Sequence, residues 1–120
     1  MKLSADARGV FPIAPTRFFD DGRIDTASID RLVDFYGGCG CTGLTVLGQL
    51  GEAPKLEHAE AADIATRAVR RAAGLPGVVG VSAPGFAATR ALAREVMERG
   101  VAGVMIAPPN TLRTDEQIAG

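Results

Sequence analysis

Amphipathic stretches alternate with short apolar runs along this chain, and three of the amphipathic stretches end at a glycine. The glycines are Gly37, Gly74 and Gly100, and a run rich in valine, leucine or isoleucine follows each of them. Glycine adopts the left-handed backbone conformation without a Cβ clash, so it is a common residue just past the end of a helix. Helices that stop in this way before apolar runs are typical of βα units with parallel strands. The pattern therefore predicts an α/β fold.

The apolar periodicity also predicts the individual elements. Four strands are expected, at Val10–Ala14, Leu44–Leu47, Val78–Val81 and Val104–Ile106. Three full helices are expected, at Asp25–Tyr36, Glu57–Ala73 and Ala87–Arg99. Asp25 is the predicted N-cap of the first helix, and Thr114 with Gln117 forms a capping box that begins a fourth helix. The predicted inward positions are Ile29, Leu32, Val33, Tyr36, Ala61, Ile64, Ala65, Ala68, Val69, Ala72, Ala88, Leu92 and Val96.

The number of predicted strands limits the architecture. A complete (β/α)8 barrel needs about 250 residues, and four strands cannot close one. Residues 1–120 are therefore expected to be one incomplete domain, the N-terminal half of such a barrel. Half a barrel leaves its first and last strands as open edges and its inner face uncovered, and we expect Val46 on that face.

Composition narrows the classes of partner. The net charge of −1 gives no reason to expect nucleic acid, and no apolar run approaches the roughly 20 residues of a membrane span. We expect a cytoplasmic protein with no membrane partner. Cys39 and Cys41, separated by one glycine, are expected to be small buried residues, since a disulfide across one residue is strained and two thiols alone make no zinc site.

Two glycine-rich segments are candidates for ligand binding. Gly38–Gly43 formally matches the G-x-G-x-x-G dinucleotide motif, but here a helix precedes the motif and a strand follows it, the reverse of the order needed to bind pyrophosphate. Gly48–Glu52 lies just past the end of the second predicted strand, where backbone N–H groups can hold a carboxylate. An ordinary βα turn explains the same glycines equally well, and spacing alone does not decide between the two.

Loops after the later strands and a single histidine complete the list of candidates. Ser82–Gly85 and Pro108–Thr111 follow the third and fourth predicted strands, where they either line a pocket or only make turns. His58 is expected to be solvated rather than catalytic, because no partner residue is evident in the sequence.

The segment Gly43-Leu44-Thr45-Val46-Leu47-Gly48-x-x-Gly51-Glu52-x-x-x-Leu56 resembles the signature of the dihydrodipicolinate synthase and N-acetylneuraminate lyase family. The resemblance extends from Gly9 to Gly120. It includes Thr16 and Phe18 after the opening strand, the helix start at Asp25 and the passage from Gly100 to Gly103.

The resemblance implies a (β/α)8 barrel enzyme that joins a lysine to a 2-keto acid, usually pyruvate, as a Schiff base and then makes or breaks a carbon–carbon bond. It also implies a homo-oligomer, with no cofactor and no metal. The family's glycine motif normally carries two hydroxyl residues that hold the substrate carboxylate, where this chain has Gln49 and Leu50. The usual tyrosine after the fourth strand is missing, and Asn110 is its possible polar replacement.

We therefore interpret the chain as the N-terminal portion of a class I aldolase-like lyase with altered substrate recognition. The expected substrate-binding residues are Gly48, Gln49, Leu50, Gly51 and Asn110, and the Schiff-base lysine is expected beyond residue 120. The expected partner is a small 2-keto acid or a related carbonyl compound. The alternative is a half-barrel without catalytic activity, either a fragment or a small-molecule binding module.

Overall fold

Helices and strands alternate along the chain in the computed structural model, which describes residues 2–48, 56–83, 85–108 and 113–119. The strands are β1 (Leu44–Val46), β2 (Gly77–Gly80) and β3 (Gly103–Met105). The helices are α1 (Thr26–Gly38), α2 (His58–Arg71), α3 (Phe86–Glu98) and α4 (Asp115–Ala119). Within these ranges the strands form one sheet in the order β1-β2-β3, and both neighbouring pairs are parallel. The predicted parallel α/β arrangement is confirmed.

The first predicted strand, residues 10–14, is reduced to one isolated parallel bridge between Ile13 and Thr45. The N–H of Thr45 donates to the carbonyl of Pro12, and the N–H of Ala14 donates to the carbonyl of Thr45. The next bridge toward the N-terminus would need an N–H at residue 12, and proline has none. The segment therefore lies beside β1 as an edge without forming a ladder, and the prediction of a fourth strand is corrected.

The helix ends follow the predicted capping with one exception. The side chain of Asp25 accepts a hydrogen bond from the N–H of Ser28, which confirms the N-cap of α1. Gly74 and Gly100 have φ values of 91° and 99°, as expected of glycines past helix ends. The prediction is wrong for Gly37, because α1 continues through Gly38 and the chain turns at Gly40 instead, where φ is 76°.

The register of the sheet separates a helix-covered face from an open one. A Cβ on Gly77 would lie 2.9 Å from Val69 of α2, so the face that carries Gly77 packs on the helices. Residues alternate between the two faces along a strand, and Val46 pairs with Val79, two residues after Gly77. Val46 therefore faces the helices, which corrects its expected place on the open face. The open face carries Thr45 and its register partner Val78 instead.

The hydrophobic core lies between the sheet and helices α1 to α3. The buried apolar residues are Ala14, Ile29, Val33, Leu44, Val46, Leu47, Ala61, Ala62, Ile64, Ala65, Ala68, Ala72, Val79, Val81, Leu92, Val96 and Val101. Ala88 is exposed, in contrast to its predicted inward position. In an α-helix, a step of four residues overshoots a full turn by about 40°. The buried stripe that contains Leu92 and Val96 therefore continues at Thr89, and Ala88 lies beyond its border. Among the described residues, no helix is long and apolar enough to cross a membrane.

Candidate functional site

The carboxyl ends of the parallel strands hold the candidate site, as expected for this type of sheet. Gly48 is the one predicted site residue within the described part of the chain, and it is buried two residues after the end of β1. Gln49, Leu50, Gly51 and Asn110 lie outside the described residues. The geometry of the site is therefore that of the strand ends that lead into these residues.

A strained turn at Leu47 connects β1 to Gly48. Leu47 has a φ of 60°, and it is the one non-glycine residue with positive φ among the described residues. Its side chain is nonetheless 3% exposed, so the residue is held in the core. The left-handed region is unfavourable for a residue with a branched side chain, and such strain persists only where surrounding structure enforces it. Strained turns of this kind concentrate at ligand-binding and catalytic sites.

Gly80, on the neighbouring strand β2, makes room for this turn. A Cβ at position 80 would lie 2.1 Å from the carbonyl oxygen of Leu47 and 3.3 Å from the backbone nitrogen of Gly48. Any side chain at position 80 would displace the peptide that leads into Gly48. Gly80 was not among the predicted site residues, although a glycine inside a valine-rich strand is a known sign of close backbone approach.

Gly48 itself lies where three segments of the chain meet. A Cβ on Gly48 would be 3.3 Å from Cγ2 of Ile13 and 3.6 Å from the terminal methyl of Met105. Ile13 precedes the loop after residue 14, and Met105 ends β3. The backbone at Gly48 thus passes between apolar side chains of the open face, at the end of the sheet where the loops begin.

Two hydroxyl groups organise the loops that follow β2 and β3. The Oγ of Ser82 accepts a hydrogen bond of 2.7 Å from the N–H of Ala107. The Oγ1 of Thr89, in the second turn of α3, accepts from the N–H of Ala83 at 3.2 Å and lies 3.3 Å from the Ala83 carbonyl. Ser82 is thus part of a hydrogen-bonded rim between two strand ends, a role that its position in the sequence motif did not reveal.

His58 has a partner, contrary to the sequence expectation. Its Nε2 contacts Oε2 of Glu95, so the start of α2 is joined to α3. Glu95 also accepts a hydrogen bond from Arg99, and the pKa of its carboxyl is lowered, chiefly by the hydrogen bond to His58. The histidine side chain is 45% exposed. The pair therefore connects α2 to α3 at the surface.

A groove of about 800 Å³ lies on the helical layer between α1 and α2. Two bidentate ion pairs cross it, Arg67 with Asp30 and Arg71 with Asp34, at distances of 2.6–2.8 Å. Hydrogen bonds from the arginines lower the pKa of both aspartates. None of the described residues that line the groove belongs to β1, β2 or β3 or directly follows one of these strands. We assign the groove to helix packing rather than to catalysis.

The Gly38–Gly43 segment forms the turn from α1 to β1, as its order in the sequence predicts. A Cβ on Gly43 would lie 2.3 Å from the ring of Phe11, so packing explains that glycine. Cys39 and Cys41 are free thiols. Cys39 is exposed, which corrects its predicted burial: α1 extends further than expected and leaves Cys39 as its C-cap at the surface.

No group of three or more histidine, cysteine, aspartate or glutamate side chains that suits a metal ion occurs within the described ranges. The described strand ends present backbone N–H groups, the Ser82 hydroxyl and closely packed apolar side chains.

Comparison with known proteins identifies the family. The model of the dihydrodipicolinate synthetase family matches residues 6–117. The chain belongs to this family. The crystal structure of dihydrodipicolinate synthase from Rhodopseudomonas palustris is 64% identical, with a TM-score of 0.91 over 98% of this chain and 39% of that chain. The α/β fold described above is therefore that of a dihydrodipicolinate synthase over this region.

Two curated relatives extend the comparison. An uncharacterized DapA-like lyase of Rhizobium meliloti is 36% identical over 110 residues, which cover 91% of this chain and 37% of the relative. An L-2-keto-3-deoxyarabonate dehydratase of Azospirillum brasilense is 50% identical over 40 residues, or 33% of this chain and 13% of the relative. The chain spans less than two fifths of the length of each of these relatives.

Proposed function

We propose that this chain is the N-terminal part of a lyase that acts on a 2-keto acid through a Schiff base with a lysine. The reaction makes or breaks a carbon–carbon bond, and the lysine comes from a part of the protein outside these 120 residues. Membership of the dihydrodipicolinate synthetase family supports the reaction class. The name of the matched dehydratase, which acts on a keto-deoxy sugar acid, supports a 2-keto acid as substrate class.

The strained turn at Leu47 and Gly48 carries the proposal. It lies at the carboxyl end of β1, where parallel α/β enzymes bind their substrates. Gly80 leaves the space that the Leu47 carbonyl occupies, and the strained turn delivers the chain to Gly48. Backbone N–H groups of that segment, with the amide of Gln49, are proposed to hold the carboxylate of the substrate.

Substrate recognition is proposed to differ from that of a pyruvate-specific enzyme. The two positions that carry hydroxyl groups in the family signature are Gln49 and Leu50 here, and leucine has no side-chain donor. Asn110 is proposed to contact substrate where the family has a tyrosine. These replacements favour a substrate other than pyruvate.

Borohydride trapping of the full-length protein tests the proposal. The parent and the double variant Gln49→Thr with Leu50→Thr are incubated with pyruvate, reduced, and examined for the mass of a covalent adduct. Each new hydroxyl donor to the carboxylate contributes roughly 1.5–3 kcal/mol. We therefore expect the variant to trap pyruvate at a concentration lower by about tenfold or more. Equal trapping by the parent would show that these two positions do not alter recognition.

The same experiment separates an enzyme from a binding module. The parent is also incubated with 2-keto-3-deoxy sugar acids, and adduct formation with one of them is expected. A full-length protein that forms no adduct with any 2-keto acid, in the parent and in the double variant, contradicts the Schiff-base mechanism and leaves the binding module as the better interpretation.

A further inference from the structure

We propose that Ser82 is a positioning residue for the candidate substrate site, a role that builds on the proposed function. Its hydroxyl oxygen accepts the backbone N–H of Ala107 at 2.7 Å and so determines where the chain beyond β3 leaves the sheet. The two residues are 25 positions apart and belong to loops that follow adjacent parallel strands.

The hydrogen-bond ladder between β2 and β3 shows what Ser82 replaces. The last ladder bond runs from the N–H of Val81 to the carbonyl of Met105, at 3.0 Å. In a regular parallel ladder the N–H of Ala107 would next donate to the carbonyl of Val81. It donates instead to the side chain of Ser82, so a serine hydroxyl ends the ladder in place of a backbone acceptor.

The sequence after Ala107 makes this one bond decisive. Pro108 and Pro109 have no N–H, so Ala107 carries the last backbone donor before Asn110. Between β3 and Asn110, only Ile106 and Ala107 have a backbone N–H, and that of Ala107 lies next to the prolines. The hydrogen bond that Ser82 accepts is therefore the last backbone tether before the two prolines.

Ser82 is itself held from the opposite side. Its neighbour Ala83 donates its N–H to the Oγ1 of Thr89 on α3. Hydrogen bonds at the consecutive residues Ser82 and Ala83 thus join the end of β2 to the chain after β3 and to α3. Ser82 is the residue that holds the chain at Ala107, just past the end of β3.

The test compares Ser82→Ala with Ser82→Thr in the full-length protein. The alanine variant removes the acceptor, and the threonine variant keeps it. Thr66→Ala is the control, because the Thr66 hydroxyl donates to the carbonyl of Ala62 within α2, away from the strand ends. The readouts are hydrogen exchange of the Ala107 amide, borohydride trapping with a 2-keto acid, and turnover of that acid.

We expect the Ala107 amide to exchange about two- to tenfold faster in Ser82→Ala, as befits the loss of one hydrogen bond. Turnover is expected to fall by a similar factor while adduct formation stays at the parent level, because the carboxylate is held by the loop after β1. Ser82→Thr is expected to restore both values, and Thr66→Ala to change neither.

Unchanged exchange at Ala107 in Ser82→Ala would overturn the proposal, and so would an equal loss of turnover in Thr66→Ala. A parent that traps no 2-keto acid contradicts the proposed function instead. In that case, the exchange rate of Ala107 still decides whether Ser82 positions this loop.

Discussion

Gly80 shows how a single residue can shape a site to which it contributes no chemistry. Its missing side chain leaves space for the carbonyl of Leu47, whose left-handed conformation leads the chain into Gly48. The contact joins residues 33 positions apart, on neighbouring strands. Glycine at position 80 is therefore a condition for the turn rather than for the strand that contains it.

We predict that Gly80→Ala destabilises the full-length protein by about 1–3 kcal/mol, the range typical of overpacking in a core. The added Cβ meets a backbone carbonyl, which cannot rotate away as the end of a side chain can. Denaturation by urea, followed by circular dichroism, measures the change in the free energy of unfolding. Adduct formation with a 2-keto acid is expected to fall as well, since the Gly48 peptide moves.

Gly37→Ala provides the matched control for this prediction. Gly37 lies in the last turns of α1, and a Cβ there meets no atom within 4 Å. Alanine in a helix is favoured over glycine by roughly 0.5–1 kcal/mol, so this variant is expected to be as stable as the parent or more stable. If both substitutions change stability equally, the Leu47 contact does not constrain position 80.

Secondary-structure elements in this chain are fixed largely by their ends. Asp25 caps α1, accepting both the N–H and the hydroxyl of Ser28. At α2, Glu57 and Glu60 form a reciprocal capping box. At α4, the Oε1 of Gln117 accepts from the N–H of Thr114, and the Oγ1 of Thr114 accepts from the N–H of Gln117. These short-range bonds explain why the helix starts were predictable.

We predict that Asp25→Ala lowers the midpoint of thermal unfolding at neutral pH and that this effect disappears in acid. The pKa of Asp25 is lowered below its ordinary value of 3.8, first by the side-chain hydrogen bond from Ser28. A carboxyl with a lowered pKa in the folded state stabilises the fold above its unfolded pKa. That stabilisation is lost as the pH falls through the folded value.

Circular dichroism at pH 7 and at about pH 3 measures the difference between the parent and Asp25→Ala. The difference in unfolding midpoint is expected to be full at pH 7 and to become smaller below about pH 4, where the aspartate begins to take up a proton. Asp20→Ala is the control, since Asp20 is an exposed aspartate in the connection before α1. The prediction fails if the two variants melt alike at pH 7.

At the scale of the whole molecule, helices cover one face of the sheet while apolar side chains remain exposed at the other. Ile13 and Met105, which flank Gly48 on this open face, are 41% and 42% exposed. An exposed apolar face bordered by an unprotected strand edge promotes association. In a longer protein of this family, further barrel strands would cover this face.

We therefore predict that the 120-residue chain, expressed alone, self-associates or aggregates. Size-exclusion chromatography over a range of concentrations measures its apparent mass. The double variant Met105→Lys with Ile106→Lys is expected to reduce association by placing charge on the exposed edge. Phe35→Lys, on the outer surface of α1, removes a comparably exposed apolar side chain and is expected to have little effect.

A compact monomer with cooperative protection of its amides from exchange would contradict this prediction. Reduced association in the Phe35 variant alone would place the contact on the helical layer rather than on the sheet.

The sequence by itself determined what depends on neighbours close along the chain. Capping residues, glycines past helix ends and the spacing of apolar residues act over a few positions, so they predicted the helices, β1 to β3 and the parallel arrangement. The family signature around Gly48 likewise lies within one short segment, and the family it indicated is confirmed. The missing N–H of Pro12 is also visible in the sequence, yet the strand predicted at residues 10–14 included it, and the structure retains only one bridge there.

Tertiary structure decided what depends on residues far apart in the chain. Three contacts join segments that are 25 to 37 positions apart. They are the contact of His58 with Glu95, the space that Gly80 leaves for Leu47, and the hydrogen bond from Ala107 to Ser82. The face of the sheet on which Val46 lies depends in the same way on its register with Val79. Periodicity assigns a residue to a strand, but only the pairing of strands and the packing of helices assigns it a face and a partner, because those contacts form between elements rather than within them.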